Sequence, residues 1–276
     1  MSPIPLPRPR AAILVPYWNF WEHTIDGDLR GDRLRLGSDI ARQLDGAVEV
    51  VAVELVDNAA AAAQLAPLLA ERRVHVLLVA QTMAVPPTHV LALLDAVPDL
   101  PLVVWAAHRT GMVGAAVDHG SITAEGATVG TPMLTNLLIR RRRAFDLVMG
   151  RLEDTACVAR VREAVRIAGV AGGLRGARIG RVGGPITGYD CVDADPEALQ
   201  AATGIQIVPI APREVLARWR AAPAHRVREL TDEVDALWER APGIDEGDAL
   251  QRSLRAAVAL AGITDLVDQP LTAGQA

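Results

Sequence analysis

The sequence predicts an α/β protein whose first half forms a Rossmann-like, doubly wound parallel sheet with helices on both faces. Short apolar, β-branched runs alternate with longer alanine- and leucine-rich amphipathic runs, as strands alternate with helices in βαβ units. The strand-like runs are also apolar at nearly every position rather than at every second one. Such continuous runs are typical of strands that are buried on both faces.

Five strand–helix units are predicted before a pair of glycines, Gly172 and Gly173. The strands are predicted at 11–16, 48–56, 74–80, 101–106 and 145–150. The helices are predicted at 33–44, 59–72, 88–96, 132–142 and 155–171. We expect Gly172 and Gly173 to end the last helix, because glycine has a low helix propensity and is common after helix ends. The chain is therefore predicted to divide into domains at 1–174 and 175–276.

Local chemistry predicts the ends of the helix at 132–142. Thr131 can cap its first turn, and Pro132 suits the first helical position because its missing N–H has no helical partner there. Arginines follow in the last turn, where the helix dipole is negative. Its buried stripe is predicted to be Met133, Leu134, Leu137 and Leu138.

The second region has fewer strands. Strands are predicted at 178–183 and 205–210, and helices at 196–202, 213–220, 228–240 and 249–260. Two strands are few for a self-contained parallel sheet. We therefore expect a second, incomplete α/β domain.

Composition excludes several functions. The net charge of −5 gives no general attraction to nucleic acid or to an anionic membrane. All 28 basic Lys/Arg side chains are arginine, which excludes Schiff-base and Walker-lysine chemistry. The two cysteines and six histidines show no metal-ligand spacing. No apolar run is long enough to span a membrane, so we expect a soluble protein, and the absence of a disulfide framework favours a reducing cytoplasm.

The glycine-rich stretch GGPITG, at 183–188, has the spacing of a phosphate loop but not its chemistry. Tyr189 and Asp190 occupy the positions of the lysine and the hydroxyl residue, and an aspartate would repel phosphate. Pro185 also removes one N–H group from the backbone nest. We predict a structural turn after a strand.

An aromatic cluster directly after the first strand is more informative. Tyr17, Trp18, Phe20 and Trp21 are four of the nine aromatic residues in the chain. In doubly wound sheets ligands lie beyond the carboxyl ends of the strands, so these rings could pack against a sugar or could close the core. Gln81 and Thr82, and His108 and Arg109, follow other strands and are predicted to converge on the same edge.

Two segments of the chain, 119–154 and 177–190, resemble the L-arabinose isomerase and L-fucose isomerase superfamily. The resemblance extends in order through nearly all of the chain and includes the aromatic pair Tyr17–Trp18. Its main elements are GATVG at 126–130, FDLVMG at 145–150, the acidic pair Glu153–Asp154, and DPEALQAATGI at 195–205.

The resemblance implies an aldose–ketose isomerase of carbohydrate metabolism. Such enzymes use a divalent metal, usually Mn²⁺, as a Lewis acid, while a glutamate moves a proton between adjacent carbons. In the family, the edge of the first domain's sheet closes over the sugar that is bound to a neighbouring subunit. The residues expected to contact a pentose or deoxyhexose are Tyr17, Trp18, Asn19, Phe20, Gln81, His119 and Glu125.

The family's catalytic glutamates and metal-binding histidines lie in a C-terminal part that this chain is expected to lack. We therefore expect no catalytic or metal-binding residue in this chain, and either a truncated protein or one half of a split enzyme. The expected partners are a small sugar and either further copies of the chain, as in a homo-oligomer, or a separate catalytic half. The alternative is a non-catalytic sugar-binding or regulatory module.

Overall fold

A computed structural model describes residues 8–109, 115, 117–189, 191, 193–239, 248–263 and 267. The chain divides between Gly173 and Leu174 into two compact units, each of which is described by itself. Within the described residues, no helix has both the length and the apolar composition that crossing a membrane requires.

The first unit contains a five-stranded parallel sheet, which confirms the predicted α/β class and is consistent with a Rossmann-like fold. Its strands are β1 (Arg10–Pro16), β2 (Glu49–Val56), β3 (Val76–Gln81), β4 (Leu102–His108) and β5 (Asp146–Arg151). They lie in the order β2-β1-β3-β4-β5. The chain therefore moves outward in one direction from β1 to β2, and in the other direction from β3 to β5.

Helices connect these strands. A short 3-10 helix (Asn19–His23) precedes α1 (Leu29–Gln43), and the later helices are α2 (Ala59–Ala63), α3 (Leu65–Glu71), α4 (Thr88–Ala96), α5 (His119–Ala124), α6 (Ala127–Arg140) and α7 (Thr155–Leu174). Helix α5 was not predicted from the sequence.

Two apolar layers bury the two faces of the sheet. Leu78 and Trp105 belong to the layer that contains residues of α1 and α7. Leu77 and Val104 belong to the opposite layer, which contains residues of α4 and α6. Adjacent residues of β3 and β4 thus point into different layers, which explains why these strands are apolar at every position.

The predicted start of α6 is wrong. The helix begins at Ala127, so Pro132 lies inside it and Thr131 is a buried helical residue rather than a cap. A Cβ added at Gly130 would lie 2.2 Å from the Met83 carbonyl oxygen, so the earlier turns of α6 pack directly on the segment after β3. This packing outweighs the local capping preference. Leu134 and Leu138 are buried as predicted, but Met133 is exposed.

The predicted end of α7 is also wrong. Helix α7 continues through Gly172 and Gly173 to Leu174. A Cβ added at Gly172 would lie 1.9 Å from the His75 carbonyl oxygen. Gly172 is therefore present because the helix approaches another backbone segment, and not because the helix ends there.

The second unit contains a two-stranded parallel sheet of β6 (Arg178–Val182) and β7 (Gln206–Ile210). Its helices are α8 (Pro196–Thr203), α9 (Pro212–Ala221), α10 (Ala224–Leu237) and α11 (Ala249–Ala261). The glycine-rich segment follows β6 as an exposed loop, and Gly183 N–H donates to the Ile210 carbonyl oxygen at 3.0 Å. Asp190, which would repel phosphate, lies outside the described residues.

Candidate functional site

The candidate site lies at the carboxyl edge of the five-stranded sheet. β1 and β3 are neighbours there, and the chain leaves them in opposite directions along the sheet. Such a reversal of strand order opens a crevice between the loops that follow the two strands, and this is where doubly wound proteins bind ligands. In this sheet those loops are 17–28 after β1 and 82–87 after β3.

Side chains tie these two loops together. Trp21 Nε1 donates a hydrogen bond to the Ala84 carbonyl oxygen at 3.2 Å, and His89 Nδ1 lies 3.0 Å from the Tyr17 carbonyl oxygen. Tyr17 and Met83 are both fully buried and form an apolar cluster with parts of both loops. The loops are therefore held together before any ligand binds.

Two of the predicted contact residues, Tyr17 and Gln81, are buried and stabilise the loops of the site. Tyr17 is buried, and its hydroxyl donates to Glu22 Oε1 at 2.8 Å. Burial raises the pKa of Tyr17, and the hydrogen bond to Glu22 raises it further. Gln81 is also buried, and its amide donates to the Met83 carbonyl oxygen at 2.6 Å. Both side chains are used within the protein rather than presented to a ligand.

The other rings of the cluster form a partly exposed surface, which we call the aromatic platform and which consists of Trp18, Phe20 and Trp21. Trp18 and Trp21 are half-buried against the apolar cluster, and Phe20 is the exposed ring of the three. The Trp18 and Phe20 rings stack with centroids 4.7 Å apart, and Trp21 meets both edge-on at 5.6 and 5.2 Å. Phe20 is 49% exposed. His119 lies 6.2 Å from the Trp21 ring, and Asn19 is exposed within the same short helix as Phe20.

A second group, which we call the charged network, consists of Asp32, Arg33, Arg109 and Glu125. The Asp32 carboxylate accepts hydrogen bonds from Arg33 Nη2 and from Arg109 Nη1, both at 2.7 Å. Glu125 Oε2 accepts the backbone N–H of Arg109 at 3.0 Å. Of the predicted contact residues, the structure thus places Glu125 in this network and Trp18 and Phe20 in the platform.

The charged network combines a buried guanidinium with partly exposed groups. Arg33 is only 2% exposed, and its burial lowers the pKa of the guanidinium, an effect that the charge of Asp32 opposes. Burial alone would raise the pKa of Asp32, but the hydrogen bond from Arg109 and the charge of Arg33 outweigh it and lower that pKa. Asp32 therefore stays ionised at neutral pH between two arginines.

A further arginine joins the first loop to the sheet. Arg30 forms ion pairs with Glu22 and Asp57, and its guanidinium lies 5.2 Å from the centroid of the Tyr17 ring. Cation–π contacts of this kind stabilise a ring and a cation together. Arg30 therefore fixes the side of the site that lies toward β2.

The described residues do not fit the divalent metal that the family resemblance implies. They include no group of three or more His, Cys, Asp or Glu side chains that could hold a metal ion. His119 and Glu125 are not part of such a group, so neither side chain is assigned as a metal ligand.

The sequence did not reveal three of the residues that build this site. Trp21 was noted in the aromatic cluster but was not predicted to contact a ligand. Asp32 and Arg33 were not singled out, although the run from Asp28 to Arg33 alternates acidic and basic residues directly before a predicted helix. A charged pattern at the helix that follows the first strand was the available signal.

Comparison of the chain with models of known protein families gives no match, and neither does comparison with curated proteins.

Proposed function

We propose that the carboxyl edge of the five-stranded sheet binds a pentose or deoxyhexose, and that the chain is an L-arabinose/L-fucose isomerase-like protein. The observation that carries the binding proposal is the presence of the partly exposed aromatic platform at a reversal of strand order, on the edge that also holds the charged network. The isomerase part of the proposal rests on the sequence resemblance described above.

This arrangement suits a sugar because a sugar has two kinds of surface. Its C–H faces are apolar and pack against aromatic rings, while its hydroxyl groups need hydrogen-bond partners. The stacked pair of Trp18 and Phe20 offers the first surface. Asp32 and Arg109 offer charged acceptors and donors, which make stronger hydrogen bonds than neutral groups do.

In this proposal the residues have two roles. Trp18, Phe20 and His119 contact the sugar, and Asn19 lies at the rim of the platform. Tyr17 and Gln81 hold the two loops in place. Glu125 positions Arg109 through its backbone N–H. None of these residues is assigned a proton-transfer role.

Titration with L-arabinose and L-fucose tests the binding proposal, with tryptophan fluorescence and calorimetry as the two readouts. We expect saturable binding with a Kd on the order of 1 mM, which corresponds to a binding free energy of about −4 kcal/mol. Phe20→Ala should weaken binding by at least about fivefold, because it removes one of the two stacked rings. A chain that binds none of these sugars would refute the proposal.

A matched control is available in the second unit. Trp238 belongs to the second unit, is not part of the aromatic platform, and is exposed to a similar extent as Phe20. Trp238→Ala should therefore leave the Kd unchanged.

The same titration with Mn²⁺ added tests the expectation that the catalytic residues lie outside this chain. The described residues hold no metal-binding group, so we expect sugar binding that does not require Mn²⁺ and no formation of a ketose. Formation of a ketose by this chain alone would contradict that expectation. Both the isomerase-like proposal and the alternative of a non-catalytic sugar-binding or regulatory module predict binding without turnover, so a separate catalytic half that restores ketose formation when added is what distinguishes the first from the second.

A further inference from the structure

Strand β5 has an open backbone edge. Within the described residues it pairs only with β4, on one side. Leu152 N–H donates to the His108 carbonyl oxygen at 2.9 Å, so the backbone groups of Leu152 point toward β4. Along a strand, the backbone groups of successive residues point alternately toward one neighbouring strand and toward the other. By that alternation, the N–H and C=O groups of Leu147, Met149 and Arg151 point away from β4. The Cys157 thiol lies 3.7 Å from the Met149 oxygen, which still has a second lone pair for another donor.

The middle of this open edge is apolar. Leu147 is 40% exposed and Met149 is 51% exposed, and both point to the same face of the sheet, opposite to the buried Val148. Proteins usually protect an exposed edge strand with a charge, a proline or a bulge near its centre. β5 carries its charges only at its ends, where they do not prevent another strand from pairing with its centre.

We propose that β5 pairs antiparallel with β5 of a second copy of this chain, about a two-fold axis. This proposal does not depend on sugar binding, which concerns another edge of the sheet. A two-fold axis gives each copy the same contacts, so the strand must be complementary to itself. The five-stranded sheet of each copy then continues into that of the other.

One register satisfies both the backbone and the side chains. In an antiparallel ladder, residues whose backbone groups point outward must face each other to exchange two hydrogen bonds. Placing Leu147 opposite Met149 of the second copy meets this condition. The two-fold axis then also places Met149 opposite Leu147 of the second copy. The four exposed apolar side chains then lie together on one face, where cross-strand contacts stabilise a sheet.

The charges that flank β5 favour the second copy as the partner. Arg141 and Arg142 precede the strand, and Glu153 and Asp154 follow it. In an antiparallel pair the residues before one strand lie beside the residues after the other. The basic segment of each copy therefore meets the acidic segment of the other, twice in each dimer.

Sedimentation of the full chain and its variants tests the proposal. We expect a dimer at roughly 100 μM, and Met149→Lys should shift it to monomer because it places two charges at the centre of the edge. Arg142→Glu and Glu153→Arg should each weaken the dimer by about tenfold, and the double variant should restore it. All three side chains are exposed, so folding is not at risk, and thermal melting provides the check.

A monomeric chain at that concentration would overturn the proposal. A dimer that Met149→Lys leaves intact, or that neither charge reversal weakens, would overturn it as well.

Cross-linking tests the register. In a Cys191→Ser background, a tagged Leu147→Cys chain is mixed with an untagged Met149→Cys chain and oxidised. Residues in a hydrogen-bonded antiparallel pair have Cα atoms about 5.5 Å apart, within the range for a disulfide. We expect the mixed disulfide to form at least about fivefold more than either homodimer. Ile139→Cys, exposed on α6, is the control. Equal yields of all pairings would refute the register and with it the proposal.

Discussion

The amino and carboxyl edges of the five-stranded sheet are made by the same strands but by different connections. At the amino edge the chain returns from helix to strand through short segments, at 44–48, 72–75, 97–101 and 141–145. At the carboxyl edge, three of the five connections from strand to helix are longer, at 17–28, 82–87 and 109–118. The short segments only connect helix to strand, while the longer segments contain the aromatic platform and Arg109 of the charged network.

The contacts at the two edges differ accordingly. At the amino edge Gly172 of α7 lies against the backbone of His75, and the His75 ring accepts the backbone N–H of Arg10 at 3.2 Å. At the carboxyl edge the Phe20 ring is exposed and the Trp18 ring is half-buried, and the same edge holds the ionised Asp32 carboxylate. We infer that substitutions at the amino edge change mainly stability, while those on the platform change mainly binding. Three predictions test how far this division holds.

The largest effect is expected for Gly172→Ala at the amino edge. The new Cβ would lie 1.9 Å from the His75 carbonyl oxygen, and a backbone atom cannot rotate away from it. The helix must therefore move, and the free energy of unfolding should fall by about 3 kcal/mol, as in other overpacked sites. Urea denaturation measures the loss.

The neighbouring glycine is a matched control. A Cβ at Gly173 would lie 3.4 Å from His75 Nδ1, which is an ordinary contact. Both glycines are helical, so Gly173→Ala should raise the free energy of unfolding by up to about 1 kcal/mol through helix propensity alone. If the two variants were equally stable, close packing at the amino edge would not explain the glycine at 172.

A smaller loss is expected for Asp32→Asn, because the charged network is the part of the carboxyl edge that also contributes to stability. The change leaves the buried guanidinium of Arg33 with a weaker partner, which should cost about 2 kcal/mol. Because the pKa of Asp32 is lowered in the folded protein, its contribution is present above roughly pH 4 and is lost as the pH falls through that lowered pKa. The free energy of unfolding, measured between pH 7 and pH 2 for the wild-type protein and for Asp32→Asn, isolates the contribution of the Asp32 carboxylate.

Asp39 on the same helix provides the comparison. It pairs with Arg42 on the surface, where both side chains are largely exposed. Asp39→Asn should change the free energy of unfolding by less than about 0.5 kcal/mol. An equally small loss for Asp32→Asn would mean that the charged network does not stabilise the fold.

The strands of the five-stranded sheet were predicted well because each strand is marked by the composition of its own residues. Each buried strand is a short apolar run, and β3 and β4 are apolar at each of their central positions because both of their faces are covered. The start of α6 and the end of α7 were predicted wrongly because they depend on contacts with Met83 and His75, which are distant in sequence. Helix propensity and capping preferences do not include such contacts.

The site was predictable only in part, for a related reason. The aromatic cluster was visible as a composition signal directly after the first strand, but the sequence did not show that Tyr17 points into the core while Phe20 points out. The ion pair between Asp32 and Arg109 joins residues 77 positions apart, so no local pattern contains it. Parallel sheets bring together the ends of strands that are distant in sequence. The contacts that build the site form between these ends, so a pattern of neighbouring residues does not predict them.

The smallest effect on stability is expected from the protonation of His75 at the amino edge. Its pH dependence tests whether packing alone accounts for the stability of that edge. Burial lowers the pKa of His75, and the nearby charge of Arg10 lowers it further, against an opposing effect of Glu49. The unfolded chain therefore binds a proton near pH 6.5, before the folded protein does. The folded protein should lose stability as the pH falls below about 6.5, and the loss should level off below its own, lower pKa.

His75→Asn isolates this effect. An asparagine carries an acceptor near the position of Nδ1, so it can still accept the N–H of Arg10. Other titrating groups are the same in both proteins, and the difference between their stability profiles from pH 8 to pH 4 therefore reports His75. We expect the wild-type protein to lose more stability than the variant over this range. Parallel profiles would show that the amino edge is insensitive to charge, and the contrast between the two edges would then be one of packing alone.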